Sequence, residues 1–275
     1  MRNYSDILFD HISETAEFKP NAESSFKKGL YGFVKETYAI TTPKDSQKYH
    51  KPKGKYTLLT FPEIMNNNIN ADKYYLNKLS ESLKDYLIDV DNNSTILVVG
   101  LGNRHISADS LGIEVVKNIN ITRHMPKIHP KICAFAPSVL GLTGIESADI
   151  IDGIAGKIKP NYIIMIDSLC ASHTARLGVS FQLSNTPITP GSGINNTRKK
   201  VSTKTKYLSI GVPLVVYADT FIKSAIDNLQ ITNKKALNTT IKANPNHLVT
   251  LSEIEPIVAK LGQFIANSLN LIFSK

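Results

Sequence analysis

Two aspartates, Asp109 and Asp167, each follow a short apolar run of the sequence. The first run, 96–99, leads through a glycine-containing loop to Asp109, and the second, 162–166, ends directly at Asp167. In an open parallel sheet the carboxyl ends of the strands border the crevice in which ligands bind, so carboxylates from two strand ends can meet there. One carboxylate would then activate a water molecule while the other protonates a leaving group.

The placement of each aspartate also has a structural explanation. Ser107 is positioned to cap a helix whose first turn would hold Asp109, where the helix dipole favours a negative charge. Asp167 could cap a turn at 168–171. An acidic group directly after an apolar strand is nevertheless costly unless it is solvated in a crevice or paired. If the two groups approach each other, repulsion raises the pKa of one of them and the pair shares a proton.

Other chemistries find less support in the sequence. Gly100-Leu101-Gly102 resembles the start of a dinucleotide-binding fingerprint, but His105 occupies the third glycine position. Cys170 with His173 would need an orienting partner to act as a nucleophile, and a buried thiol is the simpler interpretation of both Cys170 and Cys133. No cofactor and no metal are predicted, because none of the seven histidines stands in a convincing ligand spacing.

The elements around the aspartates alternate between strands and helices. The predicted strands are 95–101, 131–136, 161–167, 178–183 and 210–217, and the predicted helices after the first of them are 108–119, 147–158, 220–229 and 250–272. Continuous Val, Ile and Leu runs separated by amphipathic helices favour a mostly parallel sheet with helices on both faces, which is an α/β fold.

The chain divides into two predicted regions. Residues 1–70 are polar and indicate an irregular N-terminal extension packed on the core, although 56–61 resembles a strand ended by Pro62. Residues 71–275 form the predicted α/β domain. It opens with a helix from Asp72, in which apolar residues recur at helical spacing, namely Leu76, Leu79, Leu83, Leu87 and Val90.

Composition excludes several classes of protein. The formal charge of +9 arises largely in the polar stretches 44–55 and 198–206, which lack the interleaved aromatic residues of a single-strand nucleic-acid groove. Direct nucleic-acid binding is therefore not expected, although a positive field can steer an acidic peptide. No apolar run approaches the length of a membrane helix, and the N-terminus lacks the features of a secretory signal, so we expect a cytoplasmic protein without membrane association.

A glycine-containing segment, 189–196, supplies further candidate site residues. Its glycines would let backbone amides approach a ligand and bind a developing oxyanion, although a plain flexible turn explains them equally well. Gly191, Ser192 and Gly193 from this segment, together with Asn103, are the predicted substrate-binding residues.

Taken together, these segments resemble the germination protease family, the spore endopeptidases that degrade small acid-soluble spore proteins. The resemblance covers roughly residues 95–270 and is weaker before them. The matching segments are Val99-Gly100-Leu101-Gly102-Asn103, Ser107-Ala108-Asp109-Ser110-Leu111-Gly112, the stretch 136–146, Ile166-Asp167-Ser168-Leu169-Cys170-Ala171-Ser172, Pro190-Gly191-Ser192-Gly193, Ile210-Gly211-Val212-Pro213 and the stretch 248–254.

The resemblance implies an atypical aspartic endopeptidase with the fold of the hydrogenase-maturation peptidases. Its two catalytic aspartates map onto Asp109 and Asp167. It also implies a homotetramer in the forespore or spore core, made as a zymogen with a short propeptide. The segment 5–8 resembles the family's processing region, which predicts cleavage between Asp6 and Ile7.

The sequence departs from the family pattern at several points. The family's Ala-Ser-Arg is Ala171-Ser172-His173 here, its Asp-Thr-Gly-Ile is 185–188, and its Gly-Val-Gly-Asn is 193–196. Two alternatives therefore stay open beside the aspartic peptidase. One is a metal-assisted peptidase in which Asp109, Asp167 and a histidine hold a divalent ion, and the other is a catalytically inactive regulatory paralogue.

Overall fold

The computed structural model describes residues 5–13, 24–191, 199–222 and 247–274. The predicted α/β class is confirmed, since nine strands in this part of the chain form one mixed sheet flanked by helices. The strand order is β1-β2-β3-β7-β8-β6-β4-β5, and β9 pairs with β8. The pairs β8–β6, β6–β4 and β4–β5 are parallel, so the core of the sheet has the predicted parallel character.

The strands are β1 (Ser25–Lys28), β2 (Val34–Ile40), β3 (Gly54–Thr60), β4 (Thr95–Gly100), β5 (Lys131–Phe135), β6 (Tyr162–Ala171), β7 (Ser180–Ser184), β8 (Lys206–Tyr217) and β9 (Leu248–Thr250). The α-helices within the described ranges are α1 (Leu8–Ser13), α2 (Pro43–Tyr49), α3 (Ile69–Lys84), α4 (Leu111–Asn118), α5 (Leu140–Thr143), α6 (Ser147–Ile158) and α7 (Ile254–Phe273). The predicted helix 220–229 lies mostly outside the described residues.

The N-terminal region is more regular than the sequence suggested. Residues 25–60 supply β1, β2 and β3, and β3 joins the rest of the sheet by pairing antiparallel with β7. The sequence of these strands lacks a clear apolar pattern, because β1 exposes all of its side chains and β2 buries only its last three. The expected irregular extension is therefore wrong for these residues, whereas the division of the chain into two regions stays a prediction.

Helices cover both faces of the sheet. On the first face α3, α4 and α7 pack on strand residues such as Val98, Ile164 and Ile210. On the second face α6 packs on Leu97 and Met165. Further along this second face, α1 covers a separate apolar cluster that includes Leu58 and Leu169. None of the helices in the described part of the chain is long and apolar enough to cross a membrane.

Candidate active site

The sequence predicted that Asp167 ends its strand, but Asp167 lies in the middle of β6. The strand continues to Ala171 because the residues after Asp167 keep pairing with β8. On its other side β6 loses its neighbour at this point, since β4 ends at Gly100 and the partner of Gly100 is Ile166. Asp167 is therefore the first residue of β6 beyond the end of β4, and it projects from the second face of the sheet by alternation with Met165.

The loop 101–110 occupies the place that β4 leaves. Its start is fixed to β6 because the Leu101 N–H donates to the Ile166 carbonyl at 2.8 Å. Its end folds back on its start, since the Asn103 N–H donates to the Asp109 carbonyl at 2.9 Å and to the Asp109 carboxyl at 3.0 Å. These bonds hold the Asp109 carboxyl beside the end of β4.

The predicted cap before α4 is wrong. Ser107, Ala108 and Asp109 form a separate 3₁₀ turn, and α4 begins two residues after Asp109. The Ser107 hydroxyl donates to Glu255 of α7 at 3.1 Å, so it is engaged by another helix instead of capping α4. Asp109 consequently lies in the turn before α4 and owes its position to the Asn103 N–H.

The glycines of this region allow the loop and α4 to approach the sheet. Gly102 has a φ of 113°, and a Cβ there would lie 1.8 Å from the Asp109 carbonyl oxygen. A Cβ on Gly112 would lie 2.6 Å from the Ile166 carbonyl oxygen. Both positions exclude larger residues, which explains the glycine pattern by packing and not by phosphate binding.

The two aspartates form an electrostatically coupled pair. Burial raises the pKa of Asp109 to about 6, against a smaller opposing effect of the hydrogen bond from Asn103. Burial raises the pKa of Asp167 well above its usual range, and the negative charges of Asp109 and Asp6 raise it further. Both residues keep partial solvent access, so water can reach carboxyl groups that protein atoms otherwise desolvate. Such a pair holds one proton over a range of pH and can both accept and donate protons.

The N-terminal segment lies next to Asp167. The Asp6 N–H donates to the Cys170 carbonyl at 2.8 Å, and the Cys170 N–H donates to the Asp6 carboxylate at 3.0 Å. The side chains of Ile7 and Leu8 are fully buried in the apolar cluster of the second face. The chain thus places its own backbone along β6, three residues beyond the candidate catalytic Asp167.

A buried ion pair fixes this segment further along. Asp10 is fully buried and forms an ion pair with Arg176. Its carboxylate also accepts hydrogen bonds from the Ser172 N–H at 2.8 Å and from the Ser5 hydroxyl at 2.7 Å. A carboxylate with several charged and neutral donors is well compensated for its burial, so Asp10 anchors residues 5–12 to the loop after β6.

A cavity of about 320 Å³ adjoins the segment on the same face. Asp6, Leu169 and Gly211 line this cavity, and Lys51 and Lys200 contribute positive charge to its lining. The remaining lining residues come from 50–56, 182–189, Val201 and Ser209. The cavity is large enough for substrate side chains, and its charge suits an acidic one.

Comparison with known proteins shows the family of this chain. The germination protease family model matches residues 28–246. The germination protease of Clostridium acetobutylicum is 34% identical over 275 residues, which cover 86% of this chain and 83% of that protein. That of Bacillus subtilis is 32% identical over 243 residues, which cover 80% of this chain and 66% of that protein. The chain belongs to the germination protease family. Membership makes it a peptidase.

Of the four predicted substrate-binding residues, Asn103 and Gly191 lie in the described part of the chain. Asn103 lies at the site, but its N–H holds Asp109 and its side-chain oxygen accepts from the His105 N–H at 3.0 Å. Gly191 is exposed, with a φ of 71°. Ser192 and Gly193 lie outside the described residues. Substrate binding by these four residues stays a prediction.

Cys170 does not have the environment of a nucleophile. It lies on a strand, so a residue three positions later does not share its face as it would on a helix. Burial raises the pKa of its thiol to about 12, and the Asp6 charge adds to this effect. The thiol is therefore protonated at neutral pH, which agrees with the interpretation of a buried structural cysteine.

Four residues at the site escaped sequence analysis: Asp10, Lys51, Arg176 and Gln182. Lys51 belongs to a basic stretch that resembles a solvated loop, and Gln182 is one polar residue in a strand. Their importance depends on contacts between distant residues: Lys51 and Gln182 contact Asp6 across 45 and 176 positions of sequence, and Asp10 contacts Arg176 across 166. Within the described ranges, no group of three or more His, Cys, Asp or Glu side chains is arranged to hold a metal ion.

Proposed function

We propose that this germination protease is an aspartate-dependent endopeptidase that degrades small acid-soluble spore proteins during germination. The observation that supports it is the electrostatic interaction of Asp109 with Asp167 beyond the end of β4. Burial raises the pKa of both carboxyl groups. Curated relatives that bear the name germination protease support the biological setting. The family resemblance further supports assembly as a homotetramer in the forespore or spore core.

The pair has the properties that peptide hydrolysis requires. With its pKa at about 6, Asp109 is ionised at neutral pH, whereas burial and the Asp109 charge raise the pKa of Asp167 and favour its protonated form. The ionised group accepts a proton from water as the water attacks the peptide carbonyl, and the protonated group donates to the departing nitrogen. The two carboxyl groups act as a unit, so each proton belongs to the pair.

We further propose that the N-terminal segment is a propeptide removed between Asp6 and Ile7. Asp6 lies close enough to Asp167 for its charge to raise the pKa of that carboxyl. Its backbone and side chain both bond to Cys170 of the same strand. The segment thus occupies the site as a substrate would, and it excludes other peptides until the bond is cut.

Replacement of either carboxyl group tests the catalytic assignment. Asp109→Asn and Asp167→Asn are each expected to abolish cleavage of an acid-soluble spore protein, because each removes one half of the proton-sharing pair. Exposed Asp149, replaced by Asn, is the matched control and should cleave normally. Cleavage is followed by electrophoresis and mass spectrometry, and folding by circular dichroism. Wild-type activity in either site variant would refute the proposal.

A further inference from the structure

The carbonyl oxygen of Asp6 accepts hydrogen bonds from two side chains that are remote in sequence. Lys51 Nζ donates at 2.9 Å and Gln182 Nε2 donates at 3.1 Å. Most side-chain hydrogen bonds in proteins go to backbone groups or water, and a charged donor makes the stronger bond. Two donors that converge on one peptide carbonyl, one of them an ammonium group, withdraw electron density from that carbonyl.

The Gln182 carboxamide has a defined orientation. Its Oε1 accepts from the Leu8 N–H at 2.7 Å, and since this partner is a donor, the other end of the amide must be the nitrogen that donates to Asp6. The side chain therefore bridges the backbone on both sides of Ile7, as the neighbouring strand of a sheet would. This bridge fixes the plane and direction of the Asp6–Ile7 peptide bond.

The register of the sheet places Gln182, which holds this bond, two strands away from Asp167. Gln182 of β7 is the partner of Gly211 of β8, and Gly211 is the partner of Asp167 of β6. Directly paired residues project from the same face, and strands lie about 4.8 Å apart. Gln182 and Asp167 therefore project from the same face on either side of Gly211, whose missing side chain leaves room for Leu169.

Lys51 lies near two acidic residues, Asp6 and Asp10, at this place. Burial lowers the pKa of its ammonium group, and the carboxylates of Asp6 and Asp10 oppose this effect. Lys51 also lines the cavity that adjoins Asp6. Its position is thus open to a substrate as well as to the N-terminal segment.

We propose that Lys51 and Gln182 form the oxyanion-binding pair of this peptidase, a role that rests on the proposed function of Asp109 and Asp167. Water loses a proton to the ionised carboxylate and its oxygen bonds to the carbonyl carbon of Asp6. The π electrons move to the carbonyl oxygen, which Lys51 and Gln182 stabilise. As the oxyanion collapses, the C–N bond breaks and the Ile7 nitrogen takes a proton from the carboxyl group. The products are a carboxylic acid at Asp6 and an amine at Ile7.

Self-cleavage of the full chain after Asp6 measures this role directly. The rate constant is obtained from intact mass at a fixed pH above the pKa of Asp109, for wild type and for Lys51→Met and Gln182→Leu. Each variant is expected to be about 10²–10³ times slower, the effect of losing one oxyanion donor. Lys51→Arg, which keeps a charged donor, should recover most of the rate. The exposed Lys53, replaced by Met, is the matched control for loss of charge and should cleave normally.

A second measurement separates catalysis from docking of the segment. Hydrogen exchange at the Asp6 amide, which donates to Cys170 and not to the variant side chains, reports whether the segment stays in place. Slow cleavage with retained protection supports the proposal. Cleavage by Lys51→Met within threefold of wild type refutes it, as does slow cleavage that is fully explained by lost protection. A wild-type chain that is not cut after Asp6 refutes it as well.

The same series separates this inference from the proposed function. If Asp167→Asn is inactive while Lys51→Met and Gln182→Leu cleave normally, the two aspartates act without this pair and only the inference fails. If Asp167→Asn cleaves as wild type does, the aspartate mechanism itself fails.

Discussion

Replacement of the Asp109 carboxyl should stabilise the protein while it removes activity. The pKa of this group rises from 3.8 in its unperturbed state to about 6 in the folded protein because the site is desolvated. At neutral pH this difference corresponds to about 3 kcal/mol of destabilisation of the folded state. Asp109 keeps partial solvent access, so we expect screening to reduce the effect to about 1–2 kcal/mol.

Asn is a suitable replacement because its shape matches the protonated carboxyl and its oxygen can still accept from the Asn103 N–H. For a chain of this size, a gain of about 1–2 kcal/mol raises the melting temperature by roughly 2–8 °C. The loss of the Asp109 charge also removes one of the effects that raise the pKa of Asp167, which adds to the gain. Functional groups held in unfavourable surroundings commonly limit stability in this way.

The pH dependence distinguishes this cause from a general packing effect. Since the folded-state pKa lies above the unfolded value, the unfolded chain releases this proton first as pH rises. The contribution of Asp109 to wild-type stability is therefore lost between about pH 4 and pH 6. Asp109→Asn should match wild type below about pH 4 and exceed it above about pH 6.

Thermal and denaturant unfolding at several pH values measure this difference. Asp149→Asn is the control, because it removes an exposed carboxylate whose ion pair with Lys199 contributes little. A stability gain for Asp109→Asn that is equal at all pH values, or a loss at neutral pH, would show that desolvation of this carboxyl is not the main cause of the stability difference.

Two further predictions concern the same region. The cleavage rate of wild type should fall about tenfold per pH unit below about pH 6, because protonation of Asp109 removes the group that accepts a proton from water. A fall that begins only near the ordinary aspartate pKa would contradict the raised pKa of Asp109. Asp10→Asn should release residues 5–12 from β6, because it leaves the Arg176 charge without its buried partner, at a cost of about 3–5 kcal/mol. Hydrogen exchange at Leu8 checks this result, with Asp45→Asn at the exposed cap of α2 as the control, and unchanged protection at Leu8 would show that Asp10 is not the anchor.

The sequence by itself determined the central strands and the two candidate aspartates. The Val, Ile and Leu runs before Gly100 and Asp167 are local signals, since strands buried on both faces need apolar residues throughout. The long amphipathic helix at the C-terminus has an equally local periodicity, and α7 lies where it predicts. The extension of β6 beyond Asp167 was not visible, because Ser168 and Cys170 carry no strong strand signal and pair only when β8 is present.

Only the tertiary structure decided how the site is completed. Asp6, Lys51 and Gln182 are separated by long stretches of chain, and they meet because the N-terminal segment lies on β6 beside β7 and the loop before β3. Asp10 and Arg176 likewise find each other only when the N-terminal segment lies on β6. The pattern of apolar residues in a sequence indicates which face of a single helix or strand is buried. Hydrogen bonds and ion pairs between distant residues depend instead on the geometry of the whole sheet.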